Sequence, residues 1–150
     1  EYRNYLQDFL GAIEAEPERD IEAFFVPGDN KAASKRLIAA IKQSWGMDIA
    51  AHRFSYTSMV GAIKYMQDQY DTPVRLIADD DMYWAGQGQQ VGDNMSFEYY
   101  NVKSILNRGG EARWMETNHD SHLLHHNKFL IFDMGEDGTD AVWCGAGMTS

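Results

Sequence analysis

The chain has 150 residues, 44% of them hydrophobic and 13% aromatic, and its 23 acidic and 13 basic side chains give a formal net charge of −10. This length and apolar content fit one globular domain with a sizeable core and exclude global disorder. The negative charge repels phosphate backbones at long range and argues against a nucleic-acid substrate, although one basic cleft can coexist with an acidic exterior.

Neither a membrane span nor a signal-peptide pattern is visible in these 150 residues. The longest apolar runs cover a handful of residues, as at Phe129 to Phe132, and no basic segment followed by an apolar stretch indicates a signal peptide. The single cysteine, Cys144, excludes an internal disulfide framework. Its place in the apolar segment Ala141 to Cys144 predicts a buried thiol rather than a nucleophile. The cellular compartment stays undetermined.

Two helices and one strand are predicted in the first third of the chain. Apolar residues at helical spacing near the N-terminus predict the first helix. Ile21 to Val26 is predicted as a strand closed by the turn Pro27 to Asn30, in which Asp29 or Asn30 can cap a second helix. The second helix is expected to end at Gly46. Its apolar face comprises Ala33, Leu37, Ile41 and Trp45.

The middle third continues the alternation of strand and helix. Asp48 to Phe54 predicts a second strand, and Thr57 or Ser58 can cap the helix that follows. The apolar face of this helix comprises Met59, Ile63, Met66 and Tyr70. Pro73 to Ala78 predicts a third strand, and Asp79 to Asn94, rich in Gly, Gln and Asp, predicts a long surface loop.

The last third predicts one helix and three strands. Ser96 can cap a helix that Gly109 stops. The strands are Glu111 to Glu116, Lys128 to Phe132 and Ala141 to Cys144, the last two forming an antiparallel hairpin. Strands alternating with helices predict an α/β fold, a mixed, largely parallel sheet flanked by helices. Because the sheet continues to the final residue, we expect residues 1–150 to form a single lobe of a longer protein.

The segment from His126 to Asp133 carries the clearest chemical signal. His126 and Lys128 stand two residues apart at the start of an apolar strand, and Asp133 closes it. Side chains at positions i and i+2 of a strand point to the same face, roughly 6–7 Å apart. The spacing therefore predicts an imidazole beside an ammonium, the arrangement that a nucleophile and a phosphate-binding cation need.

With this strand order and the motif His126-x-Lys128-x4-Asp133, the chain resembles the phospholipase D superfamily of phosphodiesterases. The resemblance covers roughly Ile21 to the end, including Phe24 to Asp29 and the strand Asp48 to Phe54. It implies that His126 is the nucleophile, forming a phosphohistidine without a metal or other cofactor. It also implies that Lys128 binds the non-bridging oxygens. Asp133 falls on the opposite strand face by parity, so we expect it to support the local structure.

The chain departs from the family pattern after the motif. Where family members have Gly-Ser-x-Asn or Gly-Gly-x-Asn, this sequence has Gly145 to Ser150, with Ala146 in place of the hydroxyl or glycine and no asparagine. Thr149 or Ser150 is expected to contact the substrate instead. His119 and His122 are expected in a loop at the cleft rim, where they can also touch substrate.

The resemblance also implies a second lobe. The family's site joins two such motifs across a pseudo-twofold axis, and this chain has one. The histidine that protonates the leaving group would then come from a homodimer partner or a tandem half. We therefore expect the isolated lobe to show little or no turnover unless it pairs with itself. The substrate is expected to be a phosphodiester, either a phospholipid or a nucleic acid.

Two alternative functions stay open. A catalytically weak or scaffolding lobe of the same fold is suggested by Ala146 and the missing asparagine. A metal-dependent hydrolase would use the histidine cluster, since imidazoles are common zinc ligands, but no spacing presents three ligands on one face. The cluster comprises His119, Asp120, His122, His125 and His126.

Two further groups of residues have competing interpretations. Asp79, Asp80 and Asp81 resemble a cation-binding cluster, but such a run more often forms the solvated end of a strand with one member acting as a cap. Met82 to Trp84 could form the floor of a pocket for a lipid or a base. The alternative is that these residues pack against the rest of the domain.

Overall fold

The computed structural model describes residues 22–25, 28–89, 96–115, 126–135 and 140–145, and the structural statements below concern these residues. The chain divides into two compact units, Glu1–Ala32 and Ala33–Ser150. In the first unit, the described residues 22–25 form no strand, contrary to the prediction for Ile21 to Val26. The reason is a local turn. The carboxylate of Asp29 accepts from the Phe25 N–H at 2.8 Å, and the Asp29 N–H donates to the Phe25 carbonyl oxygen at 2.9 Å.

Four helices and five strands are described. The helices are α1 (Asn30–Gln43), α2 (Thr57–Tyr70), α3 (Asp80–Gly86) and α4 (Ser96–Leu106). The strands are β1 (Gly46–Ala51), β2 (Val74–Asp79), β3 (Glu111–Met115), β4 (Lys128–Asp133) and β5 (Ala141–Cys144). Within the described part of the chain, no helix is both long and apolar enough to cross a membrane.

The strands form one sheet in the order β3-β2-β1-β4-β5. β1 pairs in parallel with β2, and β2 with β3, whereas β4 pairs antiparallel with both β1 and β5. The predicted mixed α/β sheet and the terminal hairpin are thus confirmed. In the register, Ala51 lies opposite both Ala78 and Lys128. The last residues of β1 and β2 and the first residue of β4 consequently meet at one edge of the sheet.

The core lies on one face of this sheet. The buried residues of β4 alternate along the strand, as do those of β2 up to Ala78, in keeping with the two-residue period of a strand. In β1 every residue except the half-buried Asp48 is buried. The sheet contributes Met47, Ile49, Ala51, Val74, Leu76, Ala78, Leu130 and Phe132, and the helices contribute Leu37, Ile41, Met59, Ile63, Val102 and Ile105. Burial of this apolar surface is the main source of stability, at roughly 25 cal/mol per Å² removed from water.

The end of α1 and the start of α2 differ from the prediction. α1 ends at Gln43 rather than at Gly46, and Trp45 is 70% exposed instead of lying on its apolar face. The Trp45 N–H donates to the Asp133 carbonyl oxygen at 2.7 Å, so the chain here already joins the sheet. At the start of α2 the cap position is Tyr56, and no side chain there caps the helix. Neither Thr57 nor Ser58 has the predicted capping role.

The predicted loop from Asp79 to Asn94 begins with structure instead. β2 continues through Asp79, and α3 starts at the next residue. The Asp79 carboxylate accepts from the Asp81 N–H at 3.0 Å, which satisfies a free donor of the first helical turn. Met82 and Ala85 are buried, so two apolar residues anchor this short helix to the core. The polar composition of this segment predicted a loop and indicated neither the Asp79 cap nor the buried apolar residues of α3.

Cys144 is exposed, and the prediction of a buried thiol was wrong. In β5, Ala141 and Trp143 are half-buried whereas Val142 and Cys144 are exposed. The apolar run suggested burial on both faces, but the described sheet ends at β5 and leaves its outward face open.

Candidate active site

The candidate site lies where the ends of three neighbouring strands meet. β2 ends at Asp79, β1 ends at Ala51 and is followed by His52, and β4 begins at Lys128 just after His126. Because β4 runs against β1, its first residue lies beside the last residue of β1. The His52 N–H donates to the Asn127 carbonyl oxygen at 3.1 Å and extends this pairing past both strand ends. Backbone pairing therefore brings the strand-end residues Asp79, His52, His126 and Lys128 to one edge of the sheet.

His126 and Lys128 are brought together at this edge. The ammonium nitrogen of Lys128 donates to the carbonyl oxygen of His126 at 3.1 Å. His126 is exposed, and Lys128 is half-buried at the end of the strand face that carries Leu130 and Phe132. An anionic group could thus reach the imidazole from solvent, and the ammonium is held at the backbone carbonyl of the same residue.

His52 is a site residue that the sequence interpretation missed. Its ring centroid lies 4.8 Å from that of His126, and the two ring planes are tilted by 60°. The prediction extended β1 through Phe54, which would have made His52 an ordinary strand residue. Instead β1 ends at Ala51 and the chain bends at His52. The available signal was a polar pair, His52 and Arg53, directly after an apolar strand.

The surroundings of His52 keep its ring neutral. Burial lowers the pKa of His52 below its ordinary value, because desolvation penalises the charged imidazolium. The carboxylate of Asp79 raises this pKa and is the largest effect after burial. Smaller lowering effects come from His126, Lys128 and Arg53.

The acidic residues beside the site have internal partners. Asp79 caps α3, and Asp80 accepts from the indole N–H of Trp84 at 3.2 Å. The carboxylate oxygens of Asp79, Asp80 and Asp81 lie within 4.8 Å of one another, a spacing that could hold a cation. Asp79 and Asp80 are buried, so the predicted solvated strand end was wrong, whereas the expected capping role is present.

Asp133 does not join this group. It is the last residue of β4, five positions from Lys128, which places it about 17 Å away along the strand. Its carboxylate accepts from the Gly135 N–H at 2.8 Å, and it is exposed. These contacts shape the turn after β4.

The four predicted substrate contacts lie outside the described residues: His119, His122, Thr149 and Ser150. The same holds for Ala146 and for His125 of the histidine cluster. Gly145, which opens the stretch ending in Ser150, is described. Its N–H donates to the Lys128 carbonyl oxygen at 3.4 Å, so this stretch starts beside the candidate site.

The aromatic residues of α3 pack against neighbouring elements. Met82 is buried, and Tyr83 lies 5.5 Å from Trp114 and 6.1 Å from Tyr99 by ring centroids. Tyr99 and Trp114 stack at 6.1 Å with an interplanar angle of 27°. This arrangement favours the packing interpretation of Met82 to Trp84 over an open pocket floor.

Comparison with solved structures identifies the fold. NucT from Helicobacter pylori is similar with a TM-score of 0.51 and 16% identity, over 73% of this chain and 65% of that one. Nuc from Salmonella typhimurium, a phospholipase D family member, is similar with a TM-score of 0.47 and 17% identity, over 66% of this chain and 56% of that one. This chain shares its fold with NucT.

The likeness to these proteins is one of structure alone. No protein-family model matches the sequence, and no curated protein sequence does either. The chain spans between about half and two thirds of the length of the two solved proteins. The edge of the sheet that carries His52, His126 and Lys128 is the candidate site of this chain.

Proposed function

We propose that this chain is one lobe of a metal-independent phosphodiesterase that acts through a covalent phosphohistidine. The supporting observation is the contact between the Lys128 ammonium and the His126 carbonyl oxygen at 3.1 Å, beside an exposed His126 imidazole. A nucleophile open to solvent and a fixed cation beside it suit attack on an anionic ester. The proposal rests on this geometry together with the phospholipase D-type fold.

The reaction has two steps on the same imidazole. A neutral nitrogen of His126 attacks phosphorus, a P–N bond forms, and the P–O bond to the leaving alcohol breaks. A proton passes to the departing oxygen. Water then attacks the phosphohistidine, loses a proton, and releases a phosphomonoester and free His126. Lys128 offsets the negative charge that accumulates on the non-bridging oxygens in both steps.

The group that protonates the leaving alcohol would come from a second motif-bearing lobe, supplied by a homodimer partner or a tandem half. The isolated chain is then a weak catalyst as a monomer. Light scattering alongside the activity assay tests this requirement. A monomer with efficient turnover would contradict it.

The substrate is a phosphodiester, either a phospholipid or a nucleic acid. The net charge of −10 slightly favours a phospholipid or another small phosphodiester over a long polyanion. Comparing hydrolysis of phosphatidylcholine with that of single-stranded DNA distinguishes the two substrate classes.

The central experiment uses the full-length protein, bis(p-nitrophenyl) phosphate and excess chelator. We expect turnover to persist with chelator and to be lost in His126→Asn, with a phosphorylated His126 peptide detected by mass spectrometry after acid-free quenching. Turnover that survives in His126→Asn would rule out the nucleophile. Loss of turnover on chelation would favour the histidine-cluster metal site. A folded wild-type protein without turnover or phosphohistidine would favour the scaffolding alternative.

A further inference from the structure

His52 occupies the middle of a row of titratable groups. Asp79 is the last residue of β2, His52 follows the end of β1, and His126 precedes β4, and these three strands are neighbours in the sheet. The backbone of His52 is held by its hydrogen bond to Asn127. The position of its main chain at the site is therefore set by strand pairing.

The Nε2 atom of His52 is buried and has no hydrogen-bond partner among the described residues. Leaving a buried polar atom unpaired costs about 1–3 kcal/mol, so native proteins rarely retain such an atom without a reason. The ring of His126 lies beside this atom's ring, with centroids 4.8 Å apart. His126 is exposed and can turn, so an imidazole nitrogen can approach to the roughly 3 Å of a hydrogen bond.

We propose that His52 is a positioning residue for His126 and accepts a hydrogen bond from the imidazole N–H of His126 that does not attack phosphorus. This inference rests on the proposed function. An imidazole can attack with one nitrogen only while the other carries the proton. A partner for that N–H fixes the reactive tautomer and aims the attacking nitrogen. When the phosphoryl group transfers, the His126 ring becomes cationic and the same hydrogen bond strengthens.

The environment of His52 suits an acceptor. A neutral imidazole has a free nitrogen lone pair, whereas an imidazolium has two N–H donors and no acceptor. Burial lowers the pKa of His52, which keeps the ring neutral near pH 7. Asp79 acts against this effect, and Lys128, Arg53 and His126 act with it.

Variants at one position separate positioning from simple packing. His52→Phe retains a ring against His126 but removes both nitrogens, and His52→Gln retains hydrogen bonding without the ring. Each would be assayed on bis(p-nitrophenyl) phosphate from pH 5 to 9, with His126→Asn in parallel and the unfolding midpoint as a check on folding. We expect His52→Phe to lower kcat by about 100-fold with little change in KM, as misaimed nucleophiles do. His52→Gln should recover part of the loss.

The outcomes distinguish this inference from the proposed function. If His126→Asn is inactive while His52→Phe keeps the wild-type kcat and pH profile, the positioning role is overturned and the nucleophile assignment stands. If His126→Asn retains turnover, the proposed function itself fails.

If the chain alone shows no substrate turnover, a second measurement tests the positioning role of His52. Imidazole ¹⁵N NMR reports the tautomer of His126, whose signals are assigned by their loss in His126→Asn. We expect one tautomer to dominate in the wild type and a mixture to appear in His52→Phe, with a single tautomer restored in His52→Gln. The same tautomer ratio in the wild type and His52→Phe would overturn the inference.

Discussion

The rings of His52 and His126 lie 4.8 Å apart by their centroids, although one follows β1 and the other precedes β4. The antiparallel register of these strands produces this contact, because Ala51 lies opposite Lys128 and the pairing continues to His52 and Asn127. His52, His126 and Lys128 therefore lie at one edge of the sheet. Any chemistry at His126 takes place next to His52.

Replacing Lys128 tests the electrostatic part of the proposed reaction. Lys128→Met removes the ammonium that lies by His126, and we expect kcat on bis(p-nitrophenyl) phosphate to fall by about 100- to 1,000-fold, as when one transition-state donor is removed. Lys128→Arg keeps the charge and should retain more activity. Lys103→Met, an exposed lysine of α4, is the matched control and should leave kcat unchanged. Equal activity in Lys128→Met and Lys103→Met would remove Lys128 from the mechanism.

The half-buried ring of His52 predicts a pH dependence of stability. Its pKa is lower in the folded protein than the ordinary value of about 6.5, so below that value the unfolded chain binds more protons. This contribution to the free energy of unfolding is present above pH 6.5 and is lost as the pH falls toward the folded-state pKa. Urea unfolding at pH 7, 6 and 5 should show a shallower decline for His52→Gln than for the wild type. Identical slopes would mean that His52 is not desolvated.

The segment after His52 is anchored by an ion pair with a buried carboxylate. Arg53 Nε donates to Glu98 Oε1 at 2.6 Å, and the Glu98 side chain is 2% exposed. Arg53→Met leaves this carboxylate without the guanidinium, and we expect the free energy of unfolding to fall by about 3 kcal/mol.

The pair of Arg108 and Asp68, at 2.8 Å, is the matched control for Arg53→Met, because its carboxylate is 48% exposed while its arginine is about as accessible as Arg53. Arg108→Met should cost about 1 kcal/mol or less, since solvent screens surface pairs. Chemical denaturation measures both variants. Similar losses of unfolding free energy in Arg53→Met and Arg108→Met would show that the burial of Glu98 does not determine the strength of its ion pair with Arg53.

How far the sequence could predict this molecule depends on the range of the interactions. Apolar spacing predicted α4 and the β4–β5 hairpin, because these elements follow from local patterns and turn residues. The contact of His52 with His126 depends on strand register, which local patterns do not specify. Cys144 and Trp45 were misplaced because burial on each sheet face depends on which elements cover it. His126 and Lys128 lie at the same edge of the sheet because both belong to one short segment, whereas the predicted placement of the imidazole beside the ammonium stays a prediction.

A substitution at Gly86 tests the aromatic packing around α3 and α4 by steric collision. A Cβ at this position would collide with the ring of Tyr99, which stacks on Trp114. We expect Gly86→Ala to lower the free energy of unfolding by about 1–3 kcal/mol, because overpacking forces the ring from its place.

Gly61, within α2, is the matched control for Gly86→Ala, since nothing lies within 4 Å of an added Cβ. There the same substitution should stabilise the protein by about 1 kcal/mol through helix propensity. Opposite signs for the two variants in thermal unfolding are the expected result, and Gly86→Ala combined with Tyr99→Ala should remove the steric part of the loss. A stabilising Gly86→Ala would mean that Tyr99 does not pack on this glycine, and the aromatic cluster would then have to be placed differently against α3.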